Sequence, residues 1–131
     1  MTIQHKNFAV TAVVFTALAI VLGAFGAHGL KSMVDANWVD TFNTGVRYQM
    51  YHVLALLWLG GTGRVSATSK QWVGRLWLVG ILFFSGSLYA MTLLEAAGNS
   101  LSFIGPITPF GGLLLILGWV RLAMGISRNK M

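Results

Sequence analysis

Gly45-Val46-Arg47-Tyr48-Gln49-Met50-Tyr51-His52 runs directly into the apolar stretch Val53-Leu54-Ala55-Leu56-Leu57-Trp58-Leu59-Gly60-Gly61. In lipid an ionisable side chain is costly and turns toward the protein interior or toward water. Arg47 and His52, so near the start of an apolar helix, therefore need partners elsewhere in the chain. Whether such a helix lies in a membrane is decided by composition. Of 131 residues, 9% are charged and 56% are hydrophobic, with a mean hydropathy of +0.72. Long runs with few charges read as membrane spans, because hydrocarbon about 30 Å thick takes roughly 20 apolar helical residues. The length fits one domain, and little chain is left for an aqueous one.

The formal net charge of +6 excludes less than it suggests. Nucleic-acid binding needs cations clustered on one water-facing surface; here they sit at the ends of apolar runs, where membrane topology accounts for them. No nucleic-acid partner is expected; membrane lipids are, and the sequence leaves a homo-oligomer or a partner membrane protein open. The absence of cysteine excludes disulfides, thiolate metal sites, a thiol nucleophile and iron–sulfur ligation.

Working outward, a first span is expected over 8–27, with Ala9, Ala12, Thr16, Ala19, Gly23, Gly26 and Ala27 in register on one side. Small side chains allow the close approach by which membrane helices associate. Cleavage as a signal peptide near Ala24-Phe25-Gly26 is the rival reading, but the apolar run is long for it. Residues 31–44 are the least apolar stretch. Ser32-Met33-Val34-Asp35 matches a capping box, and Trp38, Phe42 and Val46 follow at helical spacing, so an amphipathic interfacial helix is expected over 33–45. It either continues or bends into a second span over 47–61. A third span is expected over 72–94, a loop at Gly98-Asn99-Ser100, and a fourth span over 107–126, with Pro106 and Pro109 placed where a missing N–H matters least. Gly111, Gly118 and Gly125 recur every seven residues and form a groove.

Lysine and arginine asymmetry sets orientation. Lys6, Arg64, Lys70, Arg75, Arg121, Arg128 and Lys130 fall on one side, Lys31 and Arg47 on the other, and all three acids (Asp35, Asp40, Glu95) lie with the latter pair. The expectation is an all-α, multi-pass four-helix bundle in the cell (inner) membrane, both termini cytoplasmic. At 100° per residue, Tyr48, Tyr51, Ala55 and Trp58, flanked by Arg47 and His52, form one arc of the second helix, and Met50, Val53 and Leu57 the opposite one. The polar arc is expected to face the bundle. His52 lies about 7.5 Å deeper than Arg47 along the axis. The candidate polar cluster, in the outer half of the bundle, is His28, Arg47, Tyr48, Tyr51, His52, Ser85, Ser87, Tyr89, Glu95 and Thr108.

Four segments also carry a resemblance. Gly23-Ala24-Phe25-Gly26-Ala27-His28-Gly29-Leu30, Gly45-Val46-Arg47-Tyr48-Gln49-Met50-Tyr51-His52, Leu82-Phe83-Phe84-Ser85-Gly86-Ser87-Leu88-Tyr89 and Ile107-Thr108-Pro109-Phe110-Gly111-Gly112 are similar, in order, to the signature segments of the small membrane protein family of unknown function typified by the bacterial inner-membrane protein YgdD, to which small eukaryotic transmembrane proteins are related. The resemblance implies a four-helix membrane protein and no reaction, and it carries over no catalytic residues.

Each polar residue has a sharper and a plainer reading. Arg47 could hold an anion or a lipid headgroup; the plainer alternative, snorkelling or pairing with Glu95 or Asp40, is preferred. His52 could relay protons with His28; a neutral histidine bonded to Ser85 or Tyr89 is preferred. His28 and His52 would need a third donor such as Glu95 or Asp40 to bind metal, and no spacing supplies one, so neither metal nor cofactor is expected. Ser85-Gly86-Ser87 lacks the strand-to-helix context of a nucleophile elbow, and Gly23 to Gly29 follow no strand that would make a phosphate loop. Arg64, Lys70 and Arg75 could hold anionic lipid, though topology already accounts for them. Two function classes remain: a non-enzymatic scaffold or accessory membrane protein, or one that binds or passes a small solute, proton or lipid, which within one protomer lacks a polar path through the inner half.

Overall fold

The computed structural model of the protein describes residues 3–99 and 102–128; Ser100 of the expected loop and Lys130 of the cation tally lie outside them. Those residues form four long helices, α1 (Ile3–Ala27), α2 (Ala36–Gly61), α3 (Ala67–Ala96) and α4 (Ile107–Arg128), with 3-10 turns at Gly29–Ser32 and Ser102–Ile104 and no strand among them. Uninterrupted apolar sequence favours this outcome, because a helix satisfies its backbone groups internally where water is scarce. The ends follow local chemistry. Ser66 caps α3 by accepting from the Ser69 amide at 3.3 Å. Gly98, at φ +79°, takes the left-handed turn that ends α3, where the Asn99 amide reaches the Leu94 carbonyl at 2.8 Å.

Between α1 and α2 the chain takes the continuous of the two forms open to the amphipathic stretch. There is no separate helix over 33–45: the amphipathic stretch and the expected second span are one continuous helix, Ala36–Gly61. The capping box does not form either, because the Ser32 hydroxyl closes the 3-10 turn by donating to the Gly29 carbonyl at 2.9 Å. Asp35 caps α2 instead, its carboxylate accepting from the Trp38 amide at 3.1 Å. The helix thus starts one turn later than expected and contains no break before the polar octet.

The helices pack as antiparallel neighbours in chain order, α1 on α2, α2 on α3 and α3 on α4, while α1 and α4 do not approach each other among the described residues. Glycine sets the spacing. A Cβ on Gly45 would come within 2.8 Å of the Tyr89 ring, one on Gly74 within 2.6 Å of Phe8, and one on Gly118 within 2.5 Å of Trp77. A Cβ on Gly111 would strike the backbone of Phe83 and Phe84, and one on Gly26 the Asn43 side chain. The seven-residue glycine groove of α4 is therefore filled by α3 of the same chain. The main core joins all four helices through Phe8, Ala12, Val53, Leu56, Leu59, Trp77, Ile81, Leu115 and Leu122; Leu30, Val39 and Phe42 form a smaller one under the first turn. Phe8 and Gly74 lie near one end, as do Gly125 and Ser69, so both ends of the described chain share that end of the molecule.

Three helices, α1, α3 and α4, are long and apolar enough to cross a membrane. α2 has the length, 26 residues or about 39 Å at 1.5 Å per residue, but its first half is too polar to meet that standard.

Candidate functional site

Of the α2 arc expected to turn inward, His52 is buried and Ala55 packs partly against the core, but Tyr48, Tyr51 and Trp58 turn outward. Gly45, Gln49, His52, Val53, Leu56 and Leu59 are buried, whereas Tyr51, Leu54, Leu57 and Trp58 are exposed and Tyr48 is 41% exposed. Of the edge expected to meet lipid, only Leu57 is exposed; Val53 is buried and Met50 packs partly against the core. The physical reason lies in what each side chain needs. A tyrosine or tryptophan has a small polar tip and tolerates a boundary, while a glutamine amide has two donors and an acceptor that hydrocarbon cannot satisfy.

Gln49 is satisfied on both sides. Its Nε2 donates to the Phe15 carbonyl of α1 at 2.8 Å, and its Oε1 accepts from the Tyr89 hydroxyl of α3 at 2.6 Å. One turn away, the Ser85 hydroxyl donates to the Gly45 carbonyl at 2.7 Å. Gly45 makes this possible by letting the Tyr89 ring lie against the α2 backbone. These bonds form a seam through α1, α2 and α3. Along its open side runs a cavity of about 240 Å³ lined by Phe15, Leu18, Leu22, Ile81, Leu82 and Gly86, with Gln49, Ser85 and Tyr89 in its wall.

A second seam joins α2, α3 and α4. The Trp119 indole N–H donates to His52 Nε2 at 2.9 Å, and His52 Nδ1 lies 2.8 Å from the Tyr48 carbonyl. An indole can only donate, so Nε2 is the acceptor and Nδ1 carries the proton given to Tyr48. The geometry selects one neutral tautomer. Trp77 packs against both rings, at 5.9 Å from His52 and 4.6 Å from Trp119. Higher in the same groove Ser87 and Thr108 are 2.5 Å apart. Because Ser87 donates to the Phe84 carbonyl at 2.9 Å, Thr108 is the donor between them. Ser85 and Ser87 both lie within α3 and give their protons to carbonyls, so neither is arranged as a nucleophile on a turn.

The expected cluster is thus divided. Ser85 and Tyr89 join one seam, His52, Ser87 and Thr108 the other. The Tyr48 ring lies tilted against Phe84 at 4.8 Å and stacked on His52 at 6.4 Å, at the edge of the second seam, while Tyr51 meets Tyr48 edge-on at 5.9 Å, outside both. Arg47 is exposed and donates to Thr44 Oγ1 at 3.1 Å, without an ion pair to Asp40 or Glu95. His28 and Glu95 are exposed and make no side-chain hydrogen bond among the described residues. His28 therefore does not face the octet as expected, because the chain leaves α1 there and turns away in the 3-10 segment. His52 meets Trp119 rather than Ser85 or Tyr89. Gln49, Gly45 and Trp119 complete the two seams and were not among the expected residues; the amide buried in an apolar run is the signal that could have found the first.

Helices of this length and apolarity, sealed by interhelical hydrogen bonds, define a small all-helical membrane protein. Residues 22–112 match the model of a family described as "Protein of unknown function (DUF423)". The chain is 40% identical over 120 residues, 92% of its length and 96% of the relative's, to UPF0382 membrane protein SSP2132 of Staphylococcus saprophyticus. It is 39% identical over 130 residues to a UPF0382 membrane protein of Haemophilus influenzae (95% and 98% of the two chains), and 36% identical over 126 residues to UPF0382 membrane protein YwdK of Bacillus subtilis (91% and 94%). The chain belongs to this DUF423, or UPF0382, family of membrane proteins. No solved structure matches it.

Proposed function

We propose that the protein is a multi-pass inner-membrane scaffold or accessory subunit of the YgdD type, without enzymatic activity, whose α2 is the fourth span and whose termini are cytoplasmic. The observation that carries this reading is the bonding of the buried polar groups across helices: Gln49, Ser85, Tyr89, His52, Ser87 and Thr108 each make a hydrogen bond to a neighbouring helix, with Trp77 Nε1 the buried side-chain polar atom left without a partner among the described residues. Such bonds hold a membrane fold together but offer a passing solute no free ligand. Support for α2 as a span comes from its place between α1 and α3, antiparallel to both, and from its polar groups being the buried ones. α1 then presents Val10, Val13, Val14, Ile20 and Val21, all at least half exposed, to lipids, to a second copy or to a partner membrane protein. The six described cations at the end shared by the termini support the orientation.

One observation favours the second reading, binding or transport of a small solute, proton or lipid: the cavity of about 240 Å³ beside Gln49 and Tyr89. Purified protein reconstituted in liposomes separates the two. The scaffold reading expects proton and solute fluxes no greater than in empty liposomes and, in native membranes, photo-crosslinks from Val13 or Ile20 to protein. Flux that disappears in Gln49→Leu, or crosslinks to lipid alone, would overturn it.

A further inference from the structure

At the end remote from the tyrosines, the start of α3 and the end of α4 enclose a recess of about 240 Å³ lined by Ser66, Ser69, Arg121, Gly125 and Arg128. Arg121, Gly125 and Arg128 fall at i, i+4 and i+7 and share one face of α4. Gly125 keeps the middle of that face bare; a Cβ there would come within 3.0 Å of Ser69. The two arginines therefore flank a gap rather than a side chain. The side chains around it are donors or have a proton to spare. Arg121 Nη1 donates to Ser69 Oγ at 2.9 Å, and Ser66 Oγ donates to the same oxygen at 3.1 Å. Ser69, only 4% exposed, thus accepts twice, and its own proton has no acceptor among the described residues. Neither arginine forms an ion pair among those residues, and the three acids of the chain, Asp35, Asp40 and Glu95, lie toward the opposite end. The positive end of the α3 dipole and the negative end of the α4 dipole both lie here and offset each other, so the charge of the site rests on the two guanidinium groups.

We propose that this recess binds a phosphate-type oxyanion, the chemistry shared by the headgroup of an anionic phospholipid and free phosphate. Two guanidinium groups, each suited to paired bonds with such oxygens, supply the charge, and the Ser69 hydroxyl supplies a buried donor. The cavity has room for a tetrahedral oxyanion and several waters at roughly 30 Å³ per water. This site is independent of whether the protein acts as a scaffold or a carrier.

The test uses the full-length protein in detergent, with native mass spectrometry and thermal unfolding. The probes are phosphatidylglycerol, diacylglycerol and inorganic phosphate. Arg121→Gln and Arg128→Gln are each expected to weaken phosphatidylglycerol binding about fivefold, and together roughly 25-fold, the factors that about 1 kcal/mol per cation near anionic lipid implies. Arg47→Gln at the other end should leave it unchanged. Arg128 is exposed at the last described turn, so that variant tests the site even if Arg121→Gln fails to fold. Retention of phosphatidylglycerol but not diacylglycerol, with no competition from inorganic phosphate, identifies the lipid as the source. Competition or thermal stabilisation by millimolar phosphate, lost in the arginine variants, identifies the free anion. Binding of neither phosphate probe, or binding insensitive to both arginines, would overturn the proposal.

Discussion

Gln49 links three helices with one side chain, and its loss should be felt in all of them. Interhelical hydrogen bonds in membrane proteins average about 0.6 kcal/mol and reach about 1.7. Gln49→Leu removes two and takes from the part-buried Tyr89 hydroxyl its Gln49 acceptor, so a loss of about 1–3 kcal/mol is expected in equilibrium unfolding from detergent or bicelles. Tyr89→Phe should cost about 0.6–1.7 kcal/mol, and the double variant less than the sum, because the two share a bond. His52 gives a second outcome. Its nitrogen-15 resonances should show a protonated Nδ1 and an unprotonated Nε2, and Trp119→Phe should shift the Nε2 resonance most; an Nε2–H tautomer would contradict the geometry. At this scale the sequence was half legible. Ser85, Tyr89 and His52 stood out as polar groups in apolar surroundings. Gln49 was missed because Arg47 and the tyrosines were given the weight in assigning the face, although long or amphipathic side chains reach a boundary more easily than a short amide.

Among the elements, the glycines distinguish contact from open space. At Gly111 a methyl group meets the α3 backbone, which cannot rotate away, so Gly111→Ala should destabilise by about 1–3 kcal/mol or displace α4. At Gly86 nothing lies within 4 Å, and Gly86→Ala should be neutral or stabilise by about 0.5–1 kcal/mol through helix propensity. Thermal unfolding of the two variants side by side tests both. The face of α2 can be mapped by single cysteines, since the chain has none of its own. Spin labels at Tyr51, Leu54 and Trp58 should be mobile and accessible to oxygen, those at Val53 and Leu56 immobile and protected. The seven-residue spacing made the α4 groove legible. Its occupant was not, because Trp77, Phe84 and Ser69 on α3 carry no pattern that names a partner.

For the whole molecule, antiparallel packing predicts opposite exposure of its connections. Cysteines at Gly63 and Asn99 should react with a membrane-impermeant maleimide from opposite sides of intact cells, Asn99 from outside; labelling of both from one side would contradict a crossing by α3. Three helices were legible here from apolar length alone. The continuity of α2 was one of two readings left open, because residues 36–44 have the amphipathic pattern of a surface helix, and the Asp35 cap fixes where the single helix begins. The tautomer of His52 has an electrical consequence. His52, buried midway among the packed helices, has its Nε2 lone pair occupied by an indole, the arrangement of a neutral ring, while the buried Lys70 lies near the start of α3 and Arg47, within α2, is exposed. A potential of 100 mV acts on each transferred elementary charge with about 2.3 kcal/mol. Seated across a membrane, this fold buries no charged side chain at mid-depth among the described residues for that field to move, and its conformation should be the same in energised and de-energised cells.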